Sequence, residues 1–397
     1  MAELEARFKP QLEELGRQIG YQPWRASLYL ERAKVYVGMY RSLMLHRPEG
    51  RHFVEKALTD FSAAINLQAS AEAYLGRAWC RQQIIWTVKA PRRDRPKETV
   101  DFFFSDPLFP QTLSDLRDAA RLGTTDEEHR EAFSGLSRLH SWRARSLAAP
   151  EAAAEMRARG TTYSVWDDFD RSLGYAREAV GHTPEKVLEW PTFREEAIGA
   201  IYAEIGSAAY GLGEYGRALS AFQSGEKHLT EHYQDFCGYH AVWGDTYAKT
   251  GQLREAIATF TRALARSEWN CRYLLERRGD AHLAYGSLND ALADYTALLA
   301  GTEKFPGCMS VPFCLGRLPM KRAKVYLRLG QPEKAVAEID FAVEKAFIGH
   351  CREVLSLRAE AHRRLGNLPL ALADEQRAAK LEPSRACVQY YIEGFDD

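Results

Sequence analysis

One turn recurs five times in the second half of the chain and limits what that half can become. It reads LGEYGRA (Leu212 to Ala218), TGQLREA (Thr250 to Ala256), YGSLNDA (Tyr285 to Ala291), LGQPEKA (Leu329 to Ala335) and LGNLPLA (Leu365 to Ala371), with Gly five residues before Ala each time. The glycines stand at 213, 251, 286, 330 and 366, at intervals of 38, 35, 44 and 36. A helix that ends on a left-handed residue selects Gly, which adopts that conformation without a Cβ clash. The Ala then opens the inner face of a second helix. Around His240, helix A carries Trp243, Gly244 and Tyr247, and helix B carries Ala256, Phe260 and Ala263. The small residues let two helices approach and the large ones fill the space between pairs. Such a chain folds as stacked helix pairs, each burying its apolar face against its neighbours.

The pattern resembles the tetratricopeptide repeat, W-x2-L-G-x2-Y followed by A-x3-F and P. The matching residues are Tyr202, Ile205, Gly206, Ala218 and Phe222; then Gly279, His282, Ala291 and Tyr295; then Ala323, Tyr326, Ala335 and Ile339; and finally Ala359, His362, Ala371 and Pro383. Glu375 departs from the pattern where an aromatic is usual. The resemblance implies an all-α fold, a right-handed superhelical solenoid of antiparallel helix pairs. The N-terminal half carries the same unit in degraded form. RAKVY occurs at Arg32 to Tyr36 and again at Arg322 to Tyr326, and ALTDFSAAINL (Ala57 to Leu67) aligns with TLSDLRDAARL (Thr112 to Leu122). Eight repeats are expected. Insertions fall at His46 to His52, Thr87 to Pro110 and Ala148 to Ser164, and long loops of this kind are often functional. The expected organisation is a cap helix over 1–24, irregular repeats over 25–190, five regular repeats over 191–385 and a C-terminal cap over 386–397. Leu4, Phe8, Leu12, Leu15 and Ile19 give the leading helix one apolar face before Pro23.

Composition excludes several function classes. Lys plus Arg number 53 and Asp plus Glu 54, for a net charge of -1, so no global field draws the chain to nucleic acid or anionic membrane. The most apolar stretch, Gly199 to Gly213, is interrupted by Glu204 and falls short of the roughly 20 residues a membrane span needs. No signal peptide is read at the N-terminus. Seven scattered cysteines imply reduced thiols and a cytoplasmic location.

Catalytic signals are thin. His228-Leu229-Thr230-Glu231-His232 has the H-x-x-E-H order of a zinc hydrolase, since residues four apart share a helix side, but no third ligand accompanies it. Cys308 and Cys314 lie in a Gly/Pro-rich linker without a C-x-x-C anchor. Phosphate-loop, nucleophile-elbow and dinucleotide fingerprints are missing from the sequence. The expectation is a non-enzyme with no cofactor and no metal. WDDFD (Trp166 to Asp170) reads as the start of a B helix with its acids at the positive end of the dipole.

The resemblance places the A helices along a concave groove, with repeat positions 2, 5, 6, 9, 12 and 13 facing a ligand. That implies a partner-binding wall of Tyr273, Arg277, Arg317, Lys321, Lys324, Arg328, Arg363 and Arg364, interleaved with Glu276, Asp280, Glu353 and Glu360. The carboxylate clamp of co-chaperone members is absent, because Ser207 or Asp245 and Val242 occupy its asparagine positions. A second candidate is the insertion, where Arg92, Arg93, Arg95 and Lys97 precede Phe102, Phe103, Phe104 and Phe109. Those aromatics either fold back or dock on a partner. The function expected is an interaction scaffold, adaptor or regulatory subunit that binds an extended or acidic segment of a protein. The alternatives are the His228/His232 hydrolase and a single-stranded RNA binder, the latter disfavoured by the near-zero charge. Self-association is left open by the apolar insertion.

Overall fold

The computed structural model describes residues 2–43, 50–89, 94–182, 192–228, 236–266, 273–302, 311–346 and 351–381. All regular structure among them is helical. The leading helix α1 (Ala2–Tyr21) is followed by α2 (Ala26–Ser42), which pairs with α3 (Arg51–Leu67). Next comes α4 (Ala71–Ile84), then α5 (Pro96–Phe104) in the insertion, then α6 (Leu108–Leu122), which packs on α4. The third pair is α7 (Asp126–Ala148) and α9 (Val165–Gly181), separated by α8 (Pro150–Ala158). The fourth is α10 (Thr192–Gly211) with α11 (Tyr215–Glu226). Four shorter-linked pairs complete the chain: α12 (Phe236–Lys249) with α13 (Leu253–Arg266), α14 (Leu274–Tyr285) with α15 (Leu288–Thr302), α16 (Val311–Arg328) with α17 (Pro332–Ala346), and α18 (Arg352–Arg364) with α19 (Leu368–Ala378). These helices form two compact units, Met1–Thr230 and Glu231–Asp397, of four pairs each.

The five recurring glycines all have positive φ, between 69° and 94°. Each closes its helix with the same two bonds. Gln252 N donates to Tyr247 O at 2.9 Å and Gly251 N to Ala248 O at 3.0 Å, and the other four turns repeat the pattern. These bonds satisfy carbonyls that the helix end would otherwise leave open. Behind the turns, Gly206, Gly244 and Gly279 lie against the rings of Phe222, Phe260 and Tyr295, all of them fully buried. A Cβ on Gly244 would stand 2.2 Å from the Phe260 ring. The expected division into small and large positions holds.

Within most pairs an arginine immediately before that small residue reaches across to an acid on the B helix. Arg32 donates from Nε and Nη2 to Asp60 at 2.8 and 2.7 Å, and Arg278 and Arg358 bind Asp294 and Asp374 in the same two-pronged way. Arg77 and Asp115, Arg143 and Asp168, and Arg322 and Glu338 complete the set. The aspartates are buried, so the paired fork geometry compensates carboxylates that would otherwise be costly to dehydrate. The fourth and fifth pairs lack this link. They place Ile205 opposite Ala221 and Trp243 opposite Thr259 at the same positions, all buried.

WDDFD opens a B helix as expected, and Asp168 carries a further role. The segment opens α9 with Ser164 as its N-cap and Asp167 and Asp168 in the first turn, and Asp168 is fully buried. It accepts from Arg143 at 2.5 and 2.7 Å, from His140 Nδ1 at 2.7 Å and from the Tyr163 hydroxyl. Burial opposes its ionisation, but the bonds from Arg143 and His140 outweigh it and hold the carboxyl well below the usual carboxylate range.

The described part of the Thr87 to Pro110 insertion folds back. Its helix α5 buries Phe102 and Phe103, which meet Phe109 and Trp142 at ring distances of 5.0 to 6.1 Å. Phe102, Phe103 and Phe109 are therefore core, and of the four phenylalanines only Phe104 stays substantially exposed, beside Tyr163.

Reduced thiols do not describe the whole chain. Cys80 is free and buried, its thiol pushed up to about 12 by burial, whereas Cys237 and Cys351 are disulfide-bonded. Both sit at the start of an A helix in the second unit. Reduction with dithiothreitol is therefore expected to destabilise that unit by about 2–4 kcal/mol per bond lost. Urea titrations of oxidised and reduced protein check this, and superimposable curves would refute it.

Candidate partner-binding groove

The basic wall anticipated on the later A helices is occupied by intramolecular contacts. Lys321 is 3% exposed, and its Nζ lies 2.8 Å from Glu276 and 2.6 Å from Asp280. Arg317 also pairs with Glu276, at 2.5 Å. Burial raises the Asp280 carboxyl against the opposing pull of Lys321. Arg277 pairs with Asp245 one helix pair earlier, and Arg363 with Glu375. Arg328 donates to Leu283 O at 2.8 Å, and Arg364 to Leu327 O at 2.5 Å. Several of these contacts bridge successive A helices, so these side chains fasten neighbouring pairs together. Tyr273, Arg277, Arg363 and Arg364 keep substantial exposure, and Lys324 is half-buried.

Elsewhere the anticipated residues scatter. Arg95 pairs with Glu98 at 3.1 Å on the surface of α5, while Arg92 and Arg93 lie outside the described residues. His228 stacks on Tyr202 at 6.2 Å, and His232 lies outside the described residues. No cluster of three or more His, Cys, Asp or Glu side chains able to hold a metal ion occurs among the described residues.

The first unit contains a site that composition and spacing did not single out. A cavity of about 490 Å³ opens on the A-helix side between α2, α4 and the first turns of α7. Its apolar floor is Val37, Phe61, Leu75 and Trp79, and Gly38 and Gly76 keep its walls low. Counted from Ala33 and Ala78 as the small packing positions, Lys34, Val37, Gly38, Glu72, Leu75, Gly76 and Trp79 occupy the groove-facing positions of the resemblance. Lys34 and Glu72 form an ion pair across the first two pairs, and Arg41 lies over the Trp79 ring at 5.1 Å. The remaining wall comes from α7, whose Thr125 N-cap and Glu128 form a reciprocal capping box. Glu128 is held below its ordinary range, chiefly by the backbone N–H of Thr124 at 2.9 Å.

Within each unit the helix pairs stack in sequence order, which defines an α-helical repeat protein. The family model described as tetratricopeptide repeat matches residues 242–307 and 320–386, so the repeats over those residues are tetratricopeptide repeats. Among solved structures, the chain is similar to the C-terminal part of a TPR repeat-containing protein from Cytophaga hutchinsonii, at 13% identity and TM-score 0.46, covering 79% of this chain and 95% of that one. It is also similar to MamA protein, at 16% identity and TM-score 0.38, with 49% and 97% covered. YrrB, described as a TPR protein with an unusual peptide-binding site, shows 16% identity and TM-score 0.33, with 60% and 92% covered. No curated protein matches the sequence. No described helix is long and apolar enough to cross a membrane.

Proposed function

We propose that the chain is a non-catalytic interaction scaffold that holds an extended segment of a partner protein along its A helices. The observation that carries this reading is the open cavity on α2 and α4, with an apolar floor rimmed by charge at groove-facing positions. The partly exposed Tyr273, Arg277, Arg363 and Arg364 offer a second contact on the other unit, and an adaptor or regulatory-subunit role is consistent with two such surfaces. The disulfide-bonded Cys237 and Cys351 favour work in an oxidising compartment over the cytoplasm.

Gly38 gives a direct test. A Cβ there meets nothing within 4 Å, so a side chain at this position starts into open space and Gly38→Trp is expected to fill the cavity. Proteins captured from the native source by the wild type are expected to be lost on this variant, as read by mass spectrometry, with the helical circular dichroism unchanged. Capture of the same proteins by both forms would sink the groove reading.

A further inference from the structure

Resting on that reading, we propose that the cavity between α2, α4 and α7 takes a cationic side chain, Lys or Arg, carried next to an apolar residue in the partner segment. The inference begins with an extra piece of helix. In α2 the small packing residue Ala33 lies seven residues after the first helical residue, Ala26; in α7 the equivalent Ala144 lies eighteen residues after Asp126. The excess is eleven residues (18 − 7), about three helical turns. Those turns carry Glu127, Glu128 and Glu131 to the cavity of the first two pairs.

The charge around the cavity is then unequal. Two cations, Lys34 and Arg41, face four carboxylates, Glu72, Glu127, Glu128 and Glu131, for a balance of −2. Lys34 and Glu72 compensate each other, Arg41 rests over the indole of Trp79, and Glu128 is committed to capping α7. Glu131 is exposed and has no ion pair among the described residues, and Glu127 is only loosely approached by Arg130 at 3.7 Å. A Lys or Arg side chain suits both features, since its methylene stem covers apolar surface while its charge reaches a carboxylate. An acidic segment would instead add to four carboxylates and be repelled.

The test uses the full chain and two fluorescein-labelled, terminally blocked pentapeptides, Ala-Leu-Arg-Leu-Ala and Ala-Leu-Glu-Leu-Ala. Anisotropy titrations are expected to show the arginine peptide binding about tenfold more tightly, equivalent to about 1.4 kcal/mol. Glu127→Gln/Glu131→Gln should erase the preference while leaving the circular dichroism intact. At about 1 M salt, where the screening length falls to about 3 Å, the preference should shrink in the wild type as well. Equal binding, preference for the glutamate peptide, no binding of either peptide, or a preference that survives the double substitution overturns the proposal. The two readings separate cleanly. If Gly38→Trp abolishes partner capture while the glutamine variant shows no change in peptide preference, the scaffold stands and the cationic ligand falls.

Discussion

Asp168→Ala is expected to unfold the third helix pair, α7 with α9, at a cost of about 3–5 kcal/mol. The alanine leaves Arg143 without its carboxylate, His140 fully buried without its acceptor, and the Tyr163 hydroxyl without its partner. Desolvated donors with nothing to bind account for most of that cost. Hydrogen exchange read along α7 and α9 should show protection collapsing there first. Replacing the network as a set, with Asp168→Leu, Arg143→Met and His140→Phe, should recover much of the loss, because apolar groups of similar size do not pay the dehydration of a charge. If Asp168→Ala exchanges like the wild type, the network contributes nothing to the pair. Acid gives the same readout without mutation. The folded-state carboxyl is depressed, so its stabilisation is complete above the ordinary carboxylate range, near pH 4, and fades as pH falls from there towards the folded value.

Trp243→Ala should cost the fifth pair a similar amount, about 3–5 kcal/mol, by a different physical route. Trp243 is 2% exposed, packs near Tyr239 and Tyr247 at ring distances of 5.6 and 6.0 Å, and has Arg262 over its face at 5.1 Å. Its loss leaves a large apolar void between α12 and α13, not a stranded charge. Urea unfolding checks the size of the effect, and a shift under about 1 kcal/mol would mean the site collapses to fill the space. A double-mutant cycle is more specific. Thr259→Asp alone buries an unpaired carboxylate, whereas Trp243→Arg with Thr259→Asp rebuilds the link found in other pairs, so the two changes should be strongly coupled.

These two pairs show what was legible in the sequence. The left-handed glycines and the alternation of Gly244 with Phe260 could be read directly, because a tight turn and a close helix approach each admit few residue types. The ionic link left a visible trace as well. In the regular repeats Arg278, Arg322 and Arg358 each precede their acid by sixteen residues, and RAKVY carries Arg32 and Arg322 at the same place. In the first half the separations become 28, 38 and 25, since the insertions lengthen the path between helices that still pack in the same way. Sequence therefore places Asp168 at the start of its helix but does not reveal its link to Arg143 and His140. The cavity was harder still to foresee. Its acidic wall depends on three extra turns of α7 standing opposite α2, a juxtaposition that no local window of sequence contains. The basic groove was visible as a set of charges, but the contacts of Lys321 with Glu276 and Asp280 show that several of them serve helix stacking.

The uneven distribution of the arginine–acid link has a thermal consequence. Linked pairs occupy the first three and last three places in the chain, while the fourth and fifth rely on Ile205, Ala221, Trp243 and Thr259. Hydrophobic stabilisation weakens on cooling, whereas dehydrating a charged group becomes more costly in the cold and less so with heat. The middle of the chain therefore has its own temperature coefficient. Cooling weakens both kinds of pair through different groups, the middle two by losing apolar driving force and the linked ones by a rising cost of keeping their charges dehydrated, so the order in which segments open depends on temperature as well as on sequence position.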